Sequence, residues 1–174
     1  WLGSDGTLRI SPVKELETLR LNEGTLSDIK LLKGTDHELV GLGKALQEIQ
    51  VTIQPGNAVR YGIKVCRSAD GREETVIYYD SADSKLKFDT RKSGLTYGRK
   101  MIEEAPLQLK NGEPVILRIF IDKSVVEVFA NDRQAIARMI YPTLGGHGIS
   151  LFSEGGDTEI KSVRFWELNP SNPY

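Results

Sequence analysis

Apolar and polar residues alternate most strictly between Leu117 and Asn131. Leu117, Ile119 and Ile121 fall on one face, with Arg118, Phe120 and Asp122 on the other, which is the two-residue side-chain period of a strand buried on one side. If Lys123 and Ser124 form a two-residue turn, Ile121 faces Val126, Ile119 faces Val128 and Phe120 faces Glu127. Leu117 and Ala130 then complete one apolar face. Lys-Ser is not the Asn-Gly or Gly-X pair preferred in such turns, so a longer loop with a bulge stays open. In the two-residue register Glu127 lies diagonal to Arg118, which predicts an ion pair on the outer face. Asp122 opens the turn, where its carboxylate can accept a backbone N–H two residues on.

The same alternation recurs along the chain. Ile49, Val51 and Ile53 alternate with polar residues, and Pro55-Gly56-Asn57 turns the chain into Val59, Tyr61, Ile63 and Val65. Thr75 to Tyr79 and Leu86 to Phe88 predict another pair. A short strand follows near Leu107 to Leu109, then Ala135 to Tyr141, Gly148 to Phe152 and Glu159 to Leu168. Strand signals are weaker at Thr7 to Ile10, Arg20 to Leu32 and Glu38 to Leu42. Thr90 to Glu104 reads as the longest loop. The one predicted helix follows Ser11-Pro12, where Val13, Leu16 and Leu19 recur every three residues. About twelve short strands with regular turn signals predict an all-β fold. The architecture expected is two antiparallel sheets packed as a β-sandwich of the lectin-like jelly-roll kind.

Composition narrows the functional classes. The 174 residues suit one domain, and a net charge of -1 gives no electrostatic case for nucleic acid or an acidic membrane. No apolar run approaches the ~20 residues of a membrane span. Cys66 is the only cysteine, so no internal disulfide forms, and the compartment stays open between cytoplasm and secretion. His37 and His147 are isolated, at neither metal-ligand nor triad spacing, and no cofactor is implied. The chain begins at Trp1 rather than Met. The reading is a linker over 1–11 from an upstream domain, a sandwich over 12–168 and a tail over 169–174.

Paired carboxylates would be the mark of glycoside hydrolysis. The candidates are Glu73-Glu74, Glu103-Glu104, and Asp122 with Glu127. Adjacent glutamates on a strand point to opposite faces, those in the loop read as solvated, and Asp122 and Glu127 read as a turn carboxylate and an ion-pair partner, so none of these reads as a matched acid and base. Aromatics that could stack on sugars are Tyr78, Tyr79, Tyr97, Tyr141, Phe165 and Trp166. One member of each adjacent pair must face outward.

The hairpin Leu-Arg-Ile-Phe-Ile-Asp-Lys-Ser-Val-Val-Glu-Val-Phe-Ala-Asn, followed by Ala137-Arg-Met-Ile-Tyr-Pro142, resembles the C-terminal β-sandwich module of glycoside hydrolase family 32, the invertases, inulinases, levanases and sucrose-6-phosphate hydrolases. Pro12 to Arg20, Leu46 to Ile53 and Phe88 to Gly94 extend the likeness over nearly the whole chain. Val125 departs from the second Ser usual in the family, and Asn131-Asp132-Arg133 from a common Gly-containing turn. The resemblance implies a parent β-fructosidase whose chemistry is carried by a five-bladed propeller with Asn-Asp-Pro-Asn-Gly, Arg-Asp-Pro and Glu-Cys motifs. None of these motifs occurs here. The expected role is therefore a non-catalytic module whose partner is the upstream catalytic propeller of the same chain. The alternative it implies is a fructan-binding module holding fructan or fructose, with Glu48, Arg91 and Asp122 as candidate ligands. A role beside another glycosidase, or in subunit assembly, is the third reading.

Overall fold

The computed structural model describes residues 1–94 and 98–171. Two six-stranded antiparallel sheets pack face to face. Twelve strands carry them: β1 Arg20–Leu31, β2 Thr35–Glu38, β3 Leu46–Gln54, β4 Arg60–Arg67, β5 Thr75–Asp80, β6 Lys85–Asp89, β7 Ile102–Pro106, β8 Val115–Asp122, β9 Val125–Ala130, β10 Gln134–Met139, β11 Gly148–Glu154 and β12 Thr158–Leu168. The first sheet runs β1-β12-β3-β8-β9-β10, the second β2-β11-β4-β5-β6-β7.

The central hairpin adopts the short-turn register, pairing Ile121 with Val126, Ile119 with Val128 and Leu117 with Ala130. Lys123 closes the turn in the left-handed conformation at φ 52°, so two residues suffice without glycine. At the other end of β9, Asn131 and Asp132 also take positive φ, and the Arg133 N–H returns to the Ala130 carbonyl. Asn and Asp tolerate that conformation better than other non-glycine residues.

The alternating apolar residues of both sheets meet in one core. Ile49, Val51, Ile53, Leu117, Ile119, Val126 and Val128 come from the first sheet, Tyr61, Ile63, Ile77, Leu86, Phe88 and Leu151 from the second. All are almost completely removed from water.

Three local expectations shift. The predicted helix is a single 3-10 segment, Lys14–Leu19, with no buried residue. Part of the expected long loop is the strand β7, which pairs with β6, whereas Leu107 follows it as a buried loop residue. Near the N-terminus only an isolated bridge joins Leu2 and Leu8, and the Ile10 N–H fastens this arm to the Asp132 carbonyl. No helix among the described residues is long and apolar enough to cross a membrane.

Candidate functional site

Strand registers bring residues distant in sequence into rows on the outer face of each sheet. Across the first sheet one row reads Trp166, Glu48, Phe120, Glu127, Ala137. Glu48 is 0% exposed although it points away from the core. Arg20 donates to its two oxygens from Nε at 2.8 Å and Nη2 at 2.7 Å, and Arg118 Nε donates at 2.5 Å. The Arg20 guanidinium also lies 4.0 Å from the Trp166 ring centre, with Arg164 at 4.7 Å from the same ring. Phe120 meets Phe129 edge to face. Arg118 thus turns toward Glu48 and, at 3.7 Å, Glu17, rather than toward Glu127 as the hairpin alone predicts. The diagonal contact to β9 loses to a fully buried carboxylate on β3, where the lower dielectric strengthens the pairing. This node ties the entry segment Glu17 to Arg20 down onto the first sheet.

The outer face of the second sheet is built differently. Phe152, Gly62 and Tyr78 form one row across β11, β4 and β5. Glycine places no side chain between the two rings, which meet edge to face at 6.1 Å. A Cβ there would collide with the Ile77 carbonyl and Tyr78 Cα of β5. The rings and Val76 floor a cleft of about 380 Å³, walled by Arg60, Lys64, Arg91 and Lys92 and by Glu74, Asp89 and Glu154. Every cation of the wall has a partner. Arg60 pairs with Asp80 at 2.9 Å, Lys64 with Asp36 at 2.6 Å, and Lys92 with Glu74 at 3.5 Å. Asp89 accepts from the Arg91 backbone N–H at 2.9 Å and from its guanidinium at 2.6 to 3.0 Å. Beside the cleft, Lys87 bridges Asp80 and Asp83. Burial opposes its charge, but the hydrogen bonds to Asp83 and Asp80 hold its pKa above the ordinary lysine value.

The three candidate ligands do not share one site. Glu48 lies buried on the first sheet, Arg91 walls the cleft on the second, and Asp122 is exposed at the end of β8. Of the aromatics, Tyr79 stacks on Tyr61 in the core, Phe165 packs against the core, and Tyr78 and Trp166 face outward beneath cationic neighbours. Tyr97 lies outside the described residues. The members of each glutamate pair take different partners, Glu103 and Glu104 within β7 and Glu73 and Glu74 in the segment before β5. Glu73 accepts from the Thr143 and Leu144 backbone N–H groups and the Thr143 hydroxyl, whereas Glu74 meets Arg67 and Lys92. Glu103 pairs with Arg138 and Glu104 with Lys85. Among the described residues no group of three His, Cys, Asp or Glu side chains could hold a metal ion. The alternation of β4 and β5 was the available signal for the cleft, since it sends Arg60, Lys64, Val76 and Tyr78 to one face.

The family model described as "Glycosyl hydrolases family 32 C terminal" matches residues 15–167. The chain belongs to this family. The family 32 domain is 34% identical over 168 residues to the levanase of Bacillus subtilis (strain 168), covering 91% of the chain and 24% of the levanase. It is 29% identical over 175 residues to a sucrose-6-phosphate hydrolase of Zymomonas mobilis, covering 97% of the chain and 33% of that enzyme. It therefore spans a quarter to a third of these relatives. Among solved structures, fructan 1-exohydrolase IIa from Cichorium intybus superposes with a TM-score of 0.89 at 18% identity, over 99% of the chain and 40% of that protein. Exo-inulinase from Aspergillus awamori gives 0.79 at 22% identity, over 96% and 33%. At these identities the likeness establishes the shared sandwich fold.

Proposed function

We propose that this family 32 domain is the non-catalytic C-terminal module of a β-fructosidase-type glycosidase, and that it packs against and stabilises a catalytic propeller carried on the same polypeptide. The observation that carries this reading is an apolar surface at the N-terminal arm. Trp1, Leu2, Leu8, Ile10 and Val13 are all exposed there. The arm is not loose chain. The Gly3 N–H donates to Thr7, Arg9 to Trp1 and Ile10 to Asp132, and Asp5 holds the turn through Thr7 and Arg9. Five exposed apolar side chains on one ordered arm support reading it as a contact surface. The arm ends beside a groove lined by Pro12, Gln50, Ile116, Arg118 and Phe129, and the Glu48 node fixes the segment that follows.

The relatives named levanase and sucrose-6-phosphate hydrolase support reading the parent as one that acts on fructans or sucrose. The absence of Asn-Asp-Pro and Arg-Asp-Pro from this sequence supports assigning the chemistry elsewhere in the polypeptide. The test is fructose release from sucrose, inulin and levan by the 174-residue chain alone. None is expected, and release above the buffer blank would overturn the assignment. A second reading, fructan binding, is favoured by the cleft on the second sheet, which has an apolar floor and both donors and acceptors in its walls.

A further inference from the structure

The cleft on the outer face of the second sheet has a chemistry that narrows its ligand. We infer that it binds one neutral sugar unit of a fructan chain, with the Asp89–Arg91 pair as its principal hydrogen-bonding plate. The inference rests on the fructan-binding reading and adds the place and the groups.

The volume, about 380 Å³, lies within the ~300–1,000 Å³ of small-ligand pockets. Four cations stand against three carboxylates around its rim. An anion such as phosphate would have to approach those carboxylates and displace a counter-ion already in place at 2.6 to 3.5 Å. A neutral polyol needs no such exchange. Each sugar hydroxyl both donates and accepts, so it adds to a carboxylate and a guanidinium together and leaves their mutual pairing intact. Asp89 and Arg91 are suited to this. The carboxylate is locked by the Arg91 backbone N–H as well as by its guanidinium, and the Arg91 side chain is nevertheless 62% exposed. Little entropy then remains to be lost when a ligand docks on the pair. Val76 and the edges of Tyr78 and Phe152 offer the C–H side of a sugar ring an apolar floor.

The experiment is calorimetric titration of the chain with levan-derived and inulin-derived oligosaccharides, and separately with inorganic phosphate. Arg91→Ala and Lys92→Ala are the cleft variants, both at well-exposed side chains. Arg72→Ala is the matched control, because Arg72 makes the same two-residue pair with Asp70 outside the cleft. Binding of the oligosaccharides that weakens about tenfold or more in Arg91→Ala, as loss of a hydrogen bond to a charged group gives, and weakens in Lys92→Ala but not in Arg72→Ala, is the expected result. Equal binding by all four proteins would overturn the cleft while leaving fructan binding standing. No heat with any oligosaccharide would overturn both, and binding of phosphate alone would overturn the neutral-sugar assignment. Amide chemical-shift changes confined to residues 60–64, 76–78 and 89–92 provide a second readout should a variant unfold.

Discussion

Replacing Glu48 is the sharpest test of what holds the entry segment to the sandwich. The carboxylate is fully buried and accepts three charge-assisted hydrogen bonds, from Arg20 Nε and Nη2 and from Arg118 Nε. The two guanidiniums are themselves only 16% and 17% exposed. Glu48→Ala leaves both cations without this partner and opens a void beside Trp166. Charged hydrogen bonds contribute ~1.5–3 kcal/mol each, but Arg20 and Arg118 retain Glu17 at 3.6 and 3.7 Å and recover some water. The expected loss is therefore about 3–5 kcal/mol, the range for breaking one side of a buried pair. For a domain of this length each kcal/mol moves the midpoint by ~2–4 °C, so thermal unfolding followed by circular dichroism should show a drop of about 6–20 °C. Urea unfolding should give the same free energy at unchanged m-value. A triple replacement, Arg20→Met, Glu48→Leu and Arg118→Met, should recover most of it, because removing all the charges also removes their desolvation cost. A loss below ~1 kcal/mol for Glu48→Ala, the range of a surface ion pair, would refute the reasoning.

Other consequences are more local. Burial opposes ionisation of Glu73, but hydrogen bonds from the Thr143 hydroxyl and the Leu144 and Thr143 N–H groups hold its folded pKa below the usual glutamate value of 4.5. Its stabilisation is therefore present above that value and is lost as pH falls through the folded one. Glu73→Gln should cost ~1–3 kcal/mol at pH 7 and flatten the acid limb of stability against pH, measured by urea unfolding from pH 7 to 3. An unchanged acid limb would contradict this. Burial pushes the Cys66 thiol up to about 11, so thiolate-selective reagents should label the folded chain far more slowly than the urea-unfolded chain at pH 8. Equal rates would contradict its burial. Gly94 sits at φ 106° with the Tyr141 carbonyl where a Cβ would stand. Gly94→Ala should destabilise by ~2 kcal/mol or more, and a neutral result in thermal unfolding would count against that packing.

How much of this was legible from the sequence varies with the range of the interaction. The hairpin β8–β9 was readable to the residue pair given a two-residue turn, the register the structure adopts, although Lys-Ser also left a longer bulged loop open. The Arg118 partner was not, since Glu48 lies 70 residues away and becomes a neighbour only when β3 pairs with β8. β1 gave a weak signal for a physical reason. Asn22 and Asp28 take positive φ within it, and its pairing to β12 shifts between Leu21 and Gly24, so alternation fails. β7 is an edge strand, Ile-Glu-Glu-Ala-Pro, whose exposed positions leave no apolar period, while the buried Leu107 beyond it drew the expectation to the wrong residues. Family membership was visible in the hairpin, but the cleft was visible only as the shared outer face of β4 and β5. It needs β11 beside β4 and β5, an order that consecutive reading does not supply.

The central claim, that the apolar arm seats this module on a catalytic propeller, is tested most directly by thermal unfolding of the parent polypeptide and of the isolated chain, each with Leu8→Ser and Val13→Ser. Both side chains are well exposed, at 79% and 62%, so the isolated chain should change by no more than ~0.5 kcal/mol. The parent should unfold at a distinctly lower temperature and lose activity faster on heating. An unchanged parent, or the same loss in parent and isolated chain, would contradict the account.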